Sequence, residues 1–129
     1  MTTNFDSYMD AAIAKGHRDL AKRMKQEKRM ASGLILACLA RGYRITVDNG
    51  EDKPIVLSKS YKAVMAELWQ TDEEHVLIYD AEGKRQGWFF LVYGNSGPEL
   101  VADYSANTVC EAIWNEVLSP LADRMEEGR

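Results

Sequence analysis

The chain has 129 residues, of which 46% are hydrophobic and 28% charged, and a formal net charge of −4. That describes one ordinary globular domain, long enough to bury a core without staples. No apolar run approaches the roughly 20 residues needed to span a bilayer, and Cys38 and Cys110, with no CxxC spacing, make neither a zinc site nor a redox pair.

The first predicted element is a two-sided helix. Lys15, Arg18, Lys22, Lys25 and Arg29 recur at spacings of 3, 4, 3 and 4, one face of a helix. Phe5, Met9, Ile13, Leu20, Met24 and Ala31 fall on roughly the opposite face. Asn4 or Asp6 is placed to cap its start. Gly16 interrupts it, at about 1 kcal/mol relative to Ala. From Met30 to Ala40 the pattern is apolar all round and predicts burial on most sides; Arg41 and Gly42 are the stop signal. An unbroken helix from 4 to 41 would be about 57 Å long, against a radius of gyration of about 14 Å for a compact domain of this size. Either it breaks near Gly16, or its first half projects and packs on another chain.

Residues 43–47 alternate as a strand, and 55–57 return as a second across Asp48-Asn49-Gly50, a strong turn signal. Ser58 or Ser60 caps a short helix running through Trp69, with Tyr61, Val64, Met65 and Leu68 facing inward. Thr71-Asp72-Glu73-Glu74 reads as a polar break. Residues 75–79 form a third strand. Residues 87–93, apolar on both faces, form a central one with both faces at least partly covered. Residues 100–104 are the fifth. Ser105 or Asn107 caps a last helix carrying Val109, Cys110, Ile113, Trp114, Val117 and Leu118 inward, and Ser119-Pro120 marks a break before a polar tail. The order α-ββ-α-βββ-α, with short connections, predicts an α+β fold: a five-stranded, mainly antiparallel sheet with helices mainly on one face. Residues 1–29 are read as a long amphipathic helical arm and 30–129 as the single α+β domain.

Between residues 47 and 105 the chain resembles small uncharacterised bacterial and prophage-type proteins. The matching text is Val47-Asp48-Asn49-Gly50-Glu51, residues 60–68, Thr71-Asp72-Glu73-Glu74, Gly87-Trp88 leading to Val92-Tyr93-Gly94-Asn95, and Asp103-Tyr104-Ser105. It covers under half of the chain. The resemblance implies a mobile-element or host-interaction context and carries no activity.

Charge is unevenly placed: residues 1–44 hold nine Lys/Arg against four Asp/Glu, a net +5, and residues 45–129 hold a net −9. The basic stripe therefore reads first as a solvated helix face, then as a contact for an acidic surface, and third as a phosphate-backbone reader. No aromatic residues interleave it for base stacking, and a membrane-surface role ranks last. The acidic clusters at Asp48, Glu51 and Asp52 and at Asp72, Glu73 and Glu74 lack the alternation of a Ca²⁺ loop and read as solvated loops. His17 and His75 have no partner histidine, so no metal ligand set is expected. Gly94-Asn95-Ser96-Gly97 is neither a nucleophile elbow nor a phosphate loop, because it joins two strands. Trp88 and Trp114 read as core. Trp69, ending a helix, is the expected exposed exception and contact anchor. Free Cys38 and Cys110 read as small buried hydrophobes.

No catalytic motif is present. The favoured reading is a cytoplasmic, non-enzymatic binding protein without cofactor, of small chaperone or inhibitor type; the start of the chain lacks the basic and apolar runs of a signal peptide. Phe5, Met9, Ile13, Leu20 and Met24 would be its contact with a second copy or another protein, since so many apolar groups need cover. A nucleic-acid-binding regulator using the basic face is the alternative. An enzyme built from scattered carboxylates and His75 is the second.

Overall fold

The computed structural model describes residues 4–14, 16, 18–94 and 96–127; the side chains at 8, 12, 13 and 18–20 lie outside that description. The N-terminal helix is two helices, α1 (Asn4–Ala14) and α2 (Arg18–Ala40), with Gly16 between them at φ +76°. Only glycine takes that left-handed conformation without strain, so the break falls where the sequence allows it. The first half does not project. Phe5 and Met9 of α1 share the buried core with Met24 of α2, and the Asn4 amide donates to the Ala66 and Leu68 carbonyls at 3.1 and 3.2 Å.

Helix α2 ends as the Arg41-Gly42 pair predicts. Gly42 sits at φ +85°, its N–H bonds the Leu39 carbonyl at 3.0 Å, and the Tyr43 N–H bonds the Cys38 carbonyl at 3.1 Å. These two bonds satisfy the last carbonyls in a Schellman arrangement. The apolar stretch of α2 is buried on most sides, as expected, with Met30, Ala31, Leu34, Ile35, Ala37 and Cys38 in the core and Leu36 50% exposed.

The sheet follows with β1 (Arg44–Asp48), β2 (Ile55–Ser58), α3 (Tyr61–Ala66), β3 (Glu73–Tyr79), β4 (Arg85–Val92), a 3₁₀ turn (Gly97–Glu99) and β5 (Val101–Tyr104). The spatial order is β2-β1-β3-β4-β5 and every neighbouring pair is antiparallel. The α+β architecture and five strands agree with the order read from the sequence. Strands β2 and β3 both flank β1, so they run parallel to each other, and α3 supplies the crossover that parallel strands need. Ser60 caps α3 by accepting from the Ala63 N–H at 3.1 Å.

Ile45, Val47, Val76, Ile78, Phe89 and Leu91 line the sheet face that joins the helices in one core. Gly87 lies on the same face. A Cβ there would fall far inside contact with Cys110 Sγ and Ser105 Oγ, so its missing side chain lets α4 (Thr108–Ile113) close on the sheet.

Two boundaries differ from expectation. Helix α3 stops at Ala66, and the chain turns back through Trp69 at φ +65°. At the C-terminal end, Pro120 does not break the helix. A π-helical stretch (Trp114–Leu118) leads directly into α5 (Ser119–Glu127), and the Ser119 N–H reaches back five residues to the Trp114 carbonyl. The helix thus passes into Pro120 through a widened turn. Ala122 and Met125 then bury, so the tail is an amphipathic helix.

Candidate functional site

Helix α2 presents one face to a groove of about 480 Å³. Lys25, Arg29, Ser32 and Leu36 follow each other at helical spacing down that face, with Lys28 and Gly33 beside them. Tyr61 of α3 and Leu121 of α5 form the other walls. Each wall has a local cause. Tyr61 is the first residue of α3, directly after its cap, and its hydroxyl is 2.8 Å from Ser32 Oγ. Gly33 carries no side chain, and a Cβ there would lie 3.1 Å from Leu121 Cδ2, so it lets α5 approach.

The groove floor is apolar, with the half-exposed Leu36, and among the described residues every charged lining group is a cation: Lys25, Lys28 and Arg29. A smaller hollow of about 150 Å³ shares Lys28 and Tyr61 with it and adds Lys62, Met65, Phe5 and Trp69. Lys28 Nζ stands 4.9 Å from the centroid of the Phe5 ring, a cation–π contact that anchors the cation between the two hollows. An apolar floor under a cationic rim suits a ligand with an apolar face and an anionic edge.

A second polar cluster lies inside the fold. Glu74 is 0% and Glu27 1% exposed. The Glu74 carboxylate accepts from the Trp69 N–H at 2.9 Å, from the Gln70 N–H at 3.1 Å, and from the Tyr93 hydroxyl in a short bond. Glu27 accepts from the Gly94 N–H at 2.8 Å, while its Oε1 and the Trp69 Nε1 have no hydrogen-bond partner among the described residues. Burial raises the pKa of both carboxyls; the hydrogen bonds, with Arg23 acting on Glu27, pull them partly back. Burial also pushes the Tyr93 phenol well up, and the nearby Glu74 carboxylate adds to it. This is the nearest approach to an acid–base constellation, yet a substrate cannot touch carboxyls so fully enclosed. The cluster fixes the chain reversal after α3: Glu74 satisfies the N–H groups freed when the helix stops.

The stripe residues expected to meet a partner divide. Phe5, Met9 and Met24 are 6%, 7% and 1% exposed and lie in this chain's own core, so these three need no second chain to cover them. Lys22, Lys25 and Arg29 are exposed, and the last two rim the groove. Lys15 and His17, and the side chains of Ile13, Arg18 and Leu20, lie outside the described residues. Trp69 is buried rather than exposed, with its ring 4.8 Å from Phe5 and 5.0 Å from Tyr93.

Glu74 is buried rather than part of a solvated loop, whereas Asp72 and Glu73 are exposed. The first acidic loop closes on Asn49, whose Oδ1 accepts from the Glu51 and Asp52 N–H groups at 3.0 and 2.8 Å. His75 is exposed, on the sheet face opposite Glu74, so the structure does not bring it together with the buried carboxylates. Cys38 and Cys110 are buried and free, and burial pushes Cys38 up to about 12. Among the described residues no three His, Cys, Asp or Glu side chains are grouped to hold a metal ion, and no helix is long and apolar enough to cross a membrane.

Lys28, Leu36, Tyr61 and Leu121 complete the groove and were not singled out by the sequence. Leu36 had a signal, being seven residues beyond Arg29 on one helical face; Tyr61 and Leu121 had none. Compared with known proteins, the chain matches no family model, no curated protein and no solved structure.

Proposed function

We propose that the chain is a non-enzymatic binding protein whose α2 groove takes an acidic, amphipathic segment of a partner protein. The observation that carries this reading is Leu36, 50% exposed on the floor of an apolar groove whose charged lining among the described residues is Lys25, Lys28 and Arg29. An amphipathic helix laid there would cover the leucine and set its carboxylates against the rim. Nucleic acid suits it less: beyond the first 44 residues the chain carries −9, which repels a phosphate backbone. The resemblance to prophage-type proteins fits a small inhibitor or chaperone of a mobile element.

Fluorescence anisotropy tests this with a labelled helical peptide bearing leucines on one face and glutamates on the other. Binding is expected to weaken at least tenfold, about 1.4 kcal/mol, in Leu36→Asp and in the Lys25→Glu/Arg29→Glu double variant. Circular dichroism confirms that each variant is folded. If instead a single-stranded oligonucleotide binds, salt-sensitively and through the same cations, while the peptide does not, the nucleic-acid reading replaces this one.

A further inference from the structure

The sheet has a second face that the core does not use. Along β3 and β4 the side chains alternate, so Leu77, Trp88, Phe90, Val92 and Tyr79 point away from Val76, Ile78, Phe89 and Leu91. None of the five belongs to the core cluster or packs against it. They are nevertheless assembled into a patch of their own. Thr46, Leu77 and Trp88 form one row across three strands, and Thr46 and Leu77 are only 2% and 6% exposed. His75 and Phe90 form the next row, their rings stacked at 4.6 Å, with Trp88 5.9 Å from His75. An apolar, aromatic sheet face of this kind marks an interaction surface.

The charges around the patch identify its occupant. At one end of the strands Arg44, Tyr79 and Arg85 lie in register. At the other end Asp48 and Asp103 flank the His75–Phe90 row, and Glu73 pairs with Val92. The face thus runs from basic, through apolar, to acidic along the strand direction. A partner of a single charge sign would be repelled at one end, and nucleic acid would meet three carboxylates. A second copy turned by a two-fold axis lying in the interface, across the strands, sets each basic end over the other's acidic end and stacks apolar centre on apolar centre. Sheets pack face to face in this way at about 10 Å.

Extension of the sheet at its β2 edge is a poorer route. Edge strand β2 is bulged, Leu57 takes φ +50°, and its N–H is already bonded to Thr46 Oγ1 at 3.0 Å.

We infer that two copies of this chain associate through the outer face of the sheet, antiparallel and with Trp88 and Phe90 at the centre. This does not depend on the groove reading, because the groove lies on the helical side. Sedimentation velocity on the intact chain should give twice the 14.6 kDa chain mass at micromolar concentration. Trp88→Glu is expected to raise the dimer dissociation constant at least 100-fold.

Two charge variants guard against misfolding of that one: Arg44→Glu/Arg85→Glu, and Asp48→Arg/Asp103→Arg. Each alone should be at least tenfold weaker as a dimer, and mixing the two should restore it, since one now carries two acidic ends and the other two basic ends. Leu36→Asp in the groove should leave the mass unchanged. A wild-type monomer at 100 micromolar, a Trp88→Glu dimer, or no recovery on mixing would each overturn the inference.

Discussion

Glu74 shows how one side chain sets a local fold. Trp69 takes a left-handed conformation that a bulky residue rarely adopts, and it persists because the Glu74 carboxylate holds the Trp69 and Gln70 N–H groups. The Tyr93 hydroxyl completes that cage. Tyr93→Phe is therefore expected to destabilise the protein by about 1.5–3 kcal/mol, the range for a hydrogen bond to a charged group, read from urea unfolding. Glu27 makes a pH prediction. Its folded pKa lies above the ordinary 4.5 because burial penalises the carboxylate. The folded state then binds the proton more tightly than the unfolded chain, so stability from this group is full below about 4.5 and is lost as pH rises through the raised value. Glu27→Gln cannot titrate. The melting temperature of the variant relative to wild type should climb between pH 4.5 and 7; a constant difference would show that Glu27 is not titrating in that window.

Among the elements, strands and helices were legible wherever local pattern and local chemistry agreed. The alternation over 43–47 became β1, the Arg41-Gly42 stop became a Schellman cap, and Ser60 became the cap of α3. The misreadings have two causes, an irregular turn beside the signal and a distant contact that overrides it. Pro120 announces a break, but the chain enters it through a π-helical turn and stays helical. Trp69 precedes a polar break, yet α1 folds back to cover it. The groove was half legible for the same reason. Lys25 and Arg29 follow from helical spacing, whereas Tyr61 and Leu121 arrive from elements 30 to 90 residues away. Gly87 gives this scale its prediction. Gly87→Ala would push α4 off the sheet at Cys110 and Ser105, costing about 1–3 kcal/mol as overpacking does, and urea unfolding of that variant measures it.

At the scale of the molecule, the N-terminal segment changes meaning. Of its basic face, Lys22, Lys25 and Arg29 are exposed, while Phe5, Met9 and Met24 of its apolar face are buried inside the chain. The +5 start and the −9 remainder do not form separate bodies: Lys25 and Arg29 rim the groove, while Arg44 from the same basic start lies on the outer sheet face. A shortened chain beginning at Arg18 decides between an arm that merely meets partners and a helix that closes the core. It lacks Phe5, which packs 4.8 Å from Trp69, and Met9, 7% exposed. Losing a buried Phe costs about 3–5 kcal/mol and a buried Met about 2–5, against a total stability of about 5–15 kcal/mol for a domain. The shortened protein should therefore melt many degrees lower, and its tryptophan fluorescence should shift to the red as Trp69 meets water. A chain from Arg18 that kept both the melting temperature and the emission maximum would show instead that α1 is dispensable to the core.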